Sequence, residues 1–292
     1  SYLGFHSISL PNFAEFETLS NQKKQNIHFN LEFYNAFFLE DFYDEVKSIN
    51  IKKINITWHD PLGESRHDQE EKFSEIYSSL FMDQMLHVLS VCKSLKLVSE
   101  KYENIRVLED NLSDSDSVKI QFEINEIEVN VSLSRFSSER ERRVSLNDGE
   151  AELIFSSKPF VYKNNILIRE ISDSGRLFPI AQTLSNFLFH KGTELNMPLS
   201  LKSLMPEIEL CFSCEDIFVK QMSNLISIER DFIFSEDSLS PKLVYFLGIL
   251  YYRFISDSPT LSDKQYLKGE RGVKELISWG REHTNIANEG SF

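Results

Sequence analysis

Glycine, proline and cysteine are scarce in this sequence. Of its 292 residues, only 10 are Gly, 8 are Pro and 3 are Cys. The low Gly and Pro counts exclude collagen-like and low-complexity chains, and a hydrophobic content of 41% disfavours disorder. The three cysteines, Cys92, Cys211 and Cys214, make no disulfide framework, which is typical of a reducing compartment. We therefore expect a globular, cytoplasmic protein.

Long apolar runs and an excess of positive charge are lacking as well. The longest apolar run, residues 243–252, is about half as long as a bilayer span requires. The N-terminus shows no basic region followed by an apolar stretch, so no signal peptide is expected. The net charge is 31 − 45 = −14. It repels phosphate backbones and disfavours nucleic-acid binding, whereas it would steer association with a partner that has a basic surface.

Diagnostic catalytic motifs are missing too. The sequence contains no G-x-x-x-x-G-K-[ST], no G-x-G-x-x-G, no H-E-x-x-H and no G-x-S-x-G. Glycine is the residue that lets a backbone approach a phosphate closely, so its scarcity disfavours phosphate-binding loops. These absences favour a protein that is not an enzyme and that has no cofactor.

Hydrophobic periodicity divides the chain into three segments. Residues 1–102 alternate strand and helix patterns, including an acidic helix over 36–49 and a strand over 51–58. Residues 103–172 hold four or five short strand patterns, which predict an antiparallel β-meander with a tight turn at Asn125-Glu126. Residues 173–292 carry mainly helical patterns. We predict an α+β fold with an α/β N-terminal domain, a central antiparallel β segment and a mainly helical C-terminal domain. The last two segments can share one core.

The acidic helix is the strongest candidate for a protein contact. Aromatic side chains usually carry interface energy, whereas charges at the rim steer the encounter. The helix places both kinds together, and we predict that these side chains bind a partner protein with a basic surface: Phe37, Phe38, Glu40, Asp41, Asp44 and Glu45. The alternative is a surface helix that buries one apolar face in the core.

A cluster of four polar residues follows the strand predicted over 51–58. It consists of His59, Asp60, His67 and Asp68. Histidine nitrogens and carboxylates are what a divalent-metal hydrolase uses as ligands and general base. The alternative is a solvated loop in which Asp68 or a neighbour caps the next helix.

Two further patterns have both a chemical and a structural interpretation. Cys211 and Cys214 form a C-x-x-C at a predicted strand-to-helix junction, where a redox pair would lie, but two buried structural thiols are the simpler interpretation. Arg140, Arg142 and Arg143 form a local basic patch that could hold phosphate or carboxylates. The interleaved glutamates favour a solvated loop instead.

The sequence as a whole favours a non-catalytic protein that docks on another protein or assembles with itself as a homo-oligomer. An inhibitor, an immunity protein, or an accessory subunit of a toxin or antiviral-defence complex fits this description. The alternative is a metal-dependent hydrolase or nuclease that uses the cluster of His59, Asp60, His67 and Asp68. In that case a divalent ion would raise the melting temperature.

Overall fold

A computed structural model describes residues 2–3, 18–19, 21–25, 27–29, 31–64, 72–73, 79–108, 116–156, 158–172, 179, 181, 185, 199–233, 240–256 and 269–288. The strands within these ranges are β1 (Tyr2–Leu3), β2 (His28–Phe29), β3 (Lys53–His59), β4 (Gly63–Glu64), β5 (Lys72–Phe73), β6 (Glu103–Val107), β7 (Val118–Ile124), β8 (Ile127–Ser134), β9 (Glu141–Leu146), β10 (Ala151–Ile154), β11 (Phe160–Lys163) and β12 (Ile166–Glu170). The α-helices are α1 (Asn21–Gln25), α2 (Phe37–Val46), α3 (Leu86–Ser94), α4 (Leu201–Ile233), α5 (Pro241–Ser256) and α6 (Gly269–Asn288). A 3-10 turn (Glu32–Asn35) precedes α2, and a π-helix (Phe81–Met85) precedes α3.

Eight strands form one mixed sheet, in the order β12-β11-β10-β9-β3-β8-β7-β6. Strand β3, which belongs to the first sequence segment, lies at the centre of this sheet. It pairs in parallel with β8 and antiparallel with β9. The prediction of an α+β fold with a separate antiparallel meander is therefore wrong. The strands after residue 103 are completed by an earlier strand, and the sheet has the mixed topology of an α/β protein.

The local turns agree with the sequence pattern. Ile124 pairs with Ile127 across a two-residue turn, and both turn residues, Asn125 and Glu126, have positive φ of 49° and 68°. Such a backbone matches the right-handed twist of the flanking strands. The predicted hairpin between β7 and β8 is confirmed.

The sheet has one apolar and one polar face. Along β3, Ile54, Ile56 and Trp58 are buried, while Asn55 and Thr57 between them are half-buried. Because side chains alternate along a strand, each set lies on one face. The apolar face joins the described helices in one hydrophobic core. We call the opposite side, which carries Asn55 and Thr57, the polar face.

The apolar helix α5 begins as its sequence predicts. Ser240 is its N-cap and accepts a hydrogen bond from the backbone N–H of Leu243 at 3.4 Å, and Pro241 occupies the first helical position. Residues 242–250 of α5 are all buried. At Gly280 of α6, a Cβ atom would lie only 2.8 Å from the side chain of Leu247, so glycine permits the close contact of these two helices. Within the described residues, no helix is long and apolar enough to span a membrane.

Candidate functional site

The carboxyl ends of β3 and β8 lie side by side, with His59 opposite Ser134. In open sheets, ligands bind just beyond the carboxyl ends of parallel strands. The π-helix reaches this place, because the Gln84 side-chain amide donates hydrogen bonds to the Ser134 carbonyl oxygen at 2.9 Å and to Asp60 at 3.0 Å. Turns of π-helix occur frequently at functional sites.

Asp60 gathers two arginines at this end of the sheet. Its carboxylate lies 2.5 Å from the Arg142 guanidinium and 3.4 Å from that of Arg140. Arg142 also stands over the ring of Trp58, 4.0 Å from its centroid. Burial lowers the pKa of Arg142, and the Asp60 carboxylate opposes that shift. This buried charge is thus compensated by Asp60 and by the aromatic ring.

A second ion pair lies next to the first. The Arg135 side chain, 3% exposed, donates to the Asp83 carboxylate at 2.6 Å. The backbone N–H of Arg135 donates to the hydroxyl oxygen of Tyr245 at 2.7 Å. That hydroxyl donates in turn to the carbonyl oxygen of Asp116 at 3.1 Å. Helix α5 is therefore attached to this end of the sheet.

His87 is held by aromatic rings. Its imidazole is stacked on Trp58, with ring centroids 5.5 Å apart and planes within 3° of parallel. The Phe33 ring is nearly perpendicular to the imidazole, with ring centroids 5.8 Å apart. His87 follows Asp83 by four residues, a spacing that places two side chains on the same side of a helix. We call this set the strand-end cluster: Asp60, Asp83, Gln84, His87, Arg135, Arg140 and Arg142.

The structure separates the residues of the metal-site hypothesis. Asp60 pairs with arginines in the strand-end cluster. His59 instead hydrogen-bonds through Nε2 to the Ser132 hydroxyl at 2.8 Å, with Glu141 3.8 Å from its Nδ1. His67 and Asp68 lie outside the described residues. Among the described residues, no three His, Cys, Asp or Glu side chains are placed to hold a metal ion.

The acidic helix forms as α2, and its apolar side lies in the core. Phe38 is 6% exposed, and Phe37 packs against it with ring centroids 5.6 Å apart. Two acidic side chains make ion pairs with strands of the sheet: Asp41 with Arg169 of β12 at 3.3 Å, and Glu45 with Lys163 of β11 at 3.6 Å. Asp44 pairs with Lys47, and Glu40 is exposed. Partner binding by these six residues stays a prediction.

The two cysteines of the C-x-x-C motif lie in a helix. Cys211 and Cys214 lie inside α4, not at a strand-to-helix junction, and both are buried, free thiols. Burial raises the pKa of Cys214 to about 12 and that of Cys211 well above its ordinary value. Both thiols are therefore protonated at neutral pH and poorly nucleophilic.

The three arginines do not form one patch. Arg142 is buried over Trp58 with Arg140 beside it on Asp60, whereas Arg143 makes ion pairs with Glu141 and Glu152. Successive residues of a strand point to opposite faces, which separates Arg142 from Arg143. Phosphate or partner binding by this group stays a prediction.

Burial of His59 gives a testable pH dependence. Burial lowers its pKa below the ordinary 6.5, although Glu141 acts in the opposite direction. As pH falls, His59 is therefore protonated in the unfolded chain before it is protonated in the folded protein. The free energy of unfolding decreases as a result, once the pH approaches and passes below the ordinary pKa of 6.5. We expect the loss of stability between pH 8 and pH 5, measured by urea unfolding, to be smaller in His59→Gln than in the wild type. Equal losses in the two proteins would contradict this.

The fold is shared with several solved structures. A candidate oxidoreductase from Thermotoga maritima is 11% identical, with 74% of this chain and 69% of that chain covered and a TM-score of 0.50. A super-repressor mutant of Gal80p from Saccharomyces cerevisiae is 11% identical, with 76% and 70% covered and a TM-score of 0.50. A dehydrogenase (MviM) from Clostridium difficile is 13% identical, with 74% and 70% covered and a TM-score of 0.48. No family model and no curated protein matches the chain.

The two likenesses with a TM-score of 0.50 show the fold alone, which is an α/β fold. They correct the functional predictions made from the sequence. A non-catalytic inhibitor, immunity protein or subunit of a toxin or antiviral-defence complex is contradicted by the fold shared with the candidate oxidoreductase. The alternative, a metal-dependent hydrolase or nuclease, is contradicted by the same finding.

Most of the strand-end cluster was missed in the sequence. Asp83, Gln84 and His87 lie in a stretch whose apolar residues recur at helical spacing, so the pattern indicated a core helix and nothing more. The available signal was the spacing of Asp83 and His87, an acid and a histidine one helical turn apart. Arg135 lies outside the predicted basic patch of Arg140, Arg142 and Arg143.

Proposed function

We propose that this chain binds a small hydroxyl-bearing molecule at the strand-end cluster and transfers the proton of its hydroxyl group, as part of oxidoreductase-type chemistry. The observation that carries the proposal is the placement of Asp83 and His87 beside the carboxyl ends of β3 and β8. Oxidation of an alcohol requires a base that accepts the hydroxyl proton and a separate acceptor for the hydride, and only the base is assigned to this chain's residues. The fold shared with a candidate oxidoreductase supports this class of chemistry.

The two side chains have complementary roles in this proposal. Asp83, whose side chain is 32% exposed, is held by Arg135 and accepts a hydrogen bond from the ligand hydroxyl. An imidazole ring can both accept and donate a proton, so His87 takes the role of proton acceptor and donor of the pair. Its stacking on Trp58 fixes the plane of the ring. Phe33, which is half-buried next to His87, offers an apolar surface for the carbon skeleton of the ligand.

The residues present do not fit a nicotinamide dinucleotide. Rossmann-type sites hold the pyrophosphate at a glycine-rich turn between a parallel strand and a helix. The turn after β3 reads Asp60-Pro61-Leu62-Gly63, with a single glycine and with a carboxylate that is already paired to two arginines. The whole sequence lacks G-x-G-x-x-G. The proposal therefore concerns the substrate and its proton alone.

A thermal-shift screen tests the proposed function. Wild-type protein is mixed with a panel of polyols, aldoses and hydroxy acids, and the affinity of each compound that raises the melting temperature is then measured by calorimetry. A ligand present at 100 times its dissociation constant stabilises the fold by about 2.7 kcal/mol, which gives a shift of several degrees. We expect Asp83→Asn and His87→Gln each to raise the dissociation constant at least about tenfold. A tenfold change corresponds to about 1.4 kcal/mol, which is the usual contribution of one hydrogen bond.

Asp44→Asn provides the matched control, because Asp44 is an exposed carboxylate on α2 that pairs with neighbouring Lys47 and lies outside the strand-end cluster. This variant is expected to bind as the wild type does. The proposal fails if no compound of the panel shifts the melting temperature, or if Asp83→Asn and His87→Gln bind a stabilising compound with unchanged affinity.

We also propose that the protein is cytoplasmic. The support is its cysteine chemistry: Cys92, Cys211 and Cys214 are all free and buried, as is usual in a reducing compartment.

A further inference from the structure

A row of three polar side chains crosses the polar face of the sheet, opposite the face that carries the Arg142 side chain. Ser132 of β8, His59 of β3 and Glu141 of β9 stand on three adjacent strands. His59 Nε2 lies 2.8 Å from the Ser132 hydroxyl oxygen, and His59 Nδ1 lies 3.8 Å from a Glu141 carboxylate oxygen. The order is therefore hydroxyl, imidazole and carboxylate, with each imidazole nitrogen facing one partner.

This order is the arrangement that activates a serine. A serine hydroxyl is a weak nucleophile until an adjacent base takes its proton, and a carboxylate at the other nitrogen orients that base. We propose that Ser132, His59 and Glu141 form a nucleophilic serine site that accepts the acyl group of a small carboxylic ester.

The protonation state of His59 favours this role. Burial lowers its pKa, so the imidazole is neutral at physiological pH and can accept a proton. The His59 side chain is nevertheless 18% exposed and Glu141 is 41% exposed, so a small ester can approach. The longer distance to Glu141 is ordinary for a catalytic contact without bound substrate.

The register of the strands supplies the groups that stabilise negative charge. Ser132 is directly paired with Thr57 on one side and with Lys119 on the other, and Thr57 is paired with Arg143. Directly paired residues point to the same face of a sheet. The Thr57 hydroxyl and the cationic Lys119 side chain therefore flank the serine, where the oxyanion of a tetrahedral intermediate would form. Arg143 lies one strand further, beyond Thr57, and pairs with Glu141 and Glu152.

The proposed reaction consumes the ester and one water molecule and releases an alcohol and a carboxylic acid. The Ser132 oxygen attacks the carbonyl carbon of the ester while His59 Nε2 takes the hydroxyl proton. The bond from that carbon to the alkoxy oxygen then breaks, and His59 gives its proton to the departing alcohol. Acyl-Ser132 remains, and water, deprotonated by His59, releases the acid and restores the serine.

Active-site labelling tests this inference. The full chain is treated with a fluorophosphonate probe, which reacts with activated serines, and the labelled peptide is identified by mass spectrometry. We expect Ser132 to be labelled. We expect Ser132→Ala to abolish the labelling and His59→Gln to slow it by about 10²-fold or more, the usual contribution of a general base. Glu141→Gln is expected to slow it less, and p-nitrophenyl acetate should acylate the wild type with a burst close to one equivalent.

Ser145→Ala is the matched control, because Ser145 lies on β9 two residues beyond Arg143 and takes no part in the row. Its labelling should equal that of the wild type, and circular dichroism shows whether each variant is folded. Labelling that survives in Ser132→Ala, or a rate unchanged in folded His59→Gln, overturns the inference. Asp83→Asn should be labelled normally, so the outcome is independent of the proposed function.

Discussion

Replacement of Lys93 by methionine is expected to lower the free energy of unfolding by about 3–5 kcal/mol, the usual effect of removing one partner of a buried ion pair. The Lys93 ammonium lies 2.9 Å from the Glu207 carboxylate, and the two side chains are 8% and 0% exposed. Tyr102 donates a hydrogen bond to the same carboxylate at 2.6 Å. Without the lysine, Glu207 would be a buried charge with one neutral donor left to it.

Urea unfolding at pH 7 measures this effect. Lys101→Met is the control, because the pair of Lys101 with Glu103 is exposed and such pairs contribute about 0–1 kcal/mol. The double variant Lys93→Met with Glu207→Met should recover most of the lost stability, since it leaves no unpaired charge behind. A single variant as stable as the wild type would show that Glu207 takes up a proton or is reached by water at little cost.

Two features of the sheet show which parts of the fold can be predicted from the sequence and which cannot. The hairpin at Asn125-Glu126 was predictable because its information is local: two residues that tolerate positive φ between two alternating runs. The position of β3 was not. Its partners, Glu128 in β8 and Leu146 in β9, are far away in sequence, and an alternating pattern does not specify which strands will flank it.

The candidate site shows the same division between local and distant information. The sequence grouped His59 with Asp60 because they are neighbours in the chain. Neighbouring residues at a strand end face opposite sides of the sheet. In the structure, His59 hydrogen-bonds to Ser132, whereas Asp60 pairs with the arginines. The true neighbours of Asp60, Gln84 and Arg142, come from two other elements, and only the tertiary fold brings them together.

Tyr245→Phe is expected to lower the free energy of unfolding by about 1–3 kcal/mol, the desolvation penalty of buried groups that lose their hydrogen-bond partner. The phenol is buried, and burial raises its pKa to about 12. The substitution keeps the ring, which packs on Phe136 with centroids 5.5 Å apart, and removes only the hydroxyl. Tyr251→Phe on the same helix is the control, since Tyr251 is half-buried and its ring rests on Trp279.

Tyr245→Phe should also weaken ligand binding at the strand-end cluster. The Tyr245 hydroxyl holds the backbone N–H of Arg135, and the side chain of Arg135 holds Asp83. Loss of the hydroxyl frees the backbone of Arg135, so Asp83 is positioned less well, and ligand affinity should fall at temperatures where the variant is still fully folded. Calorimetry at 20 °C with a compound that stabilises the wild type measures this. Unchanged affinity in a destabilised Tyr245→Phe would show that α5 supports the sheet without positioning the site.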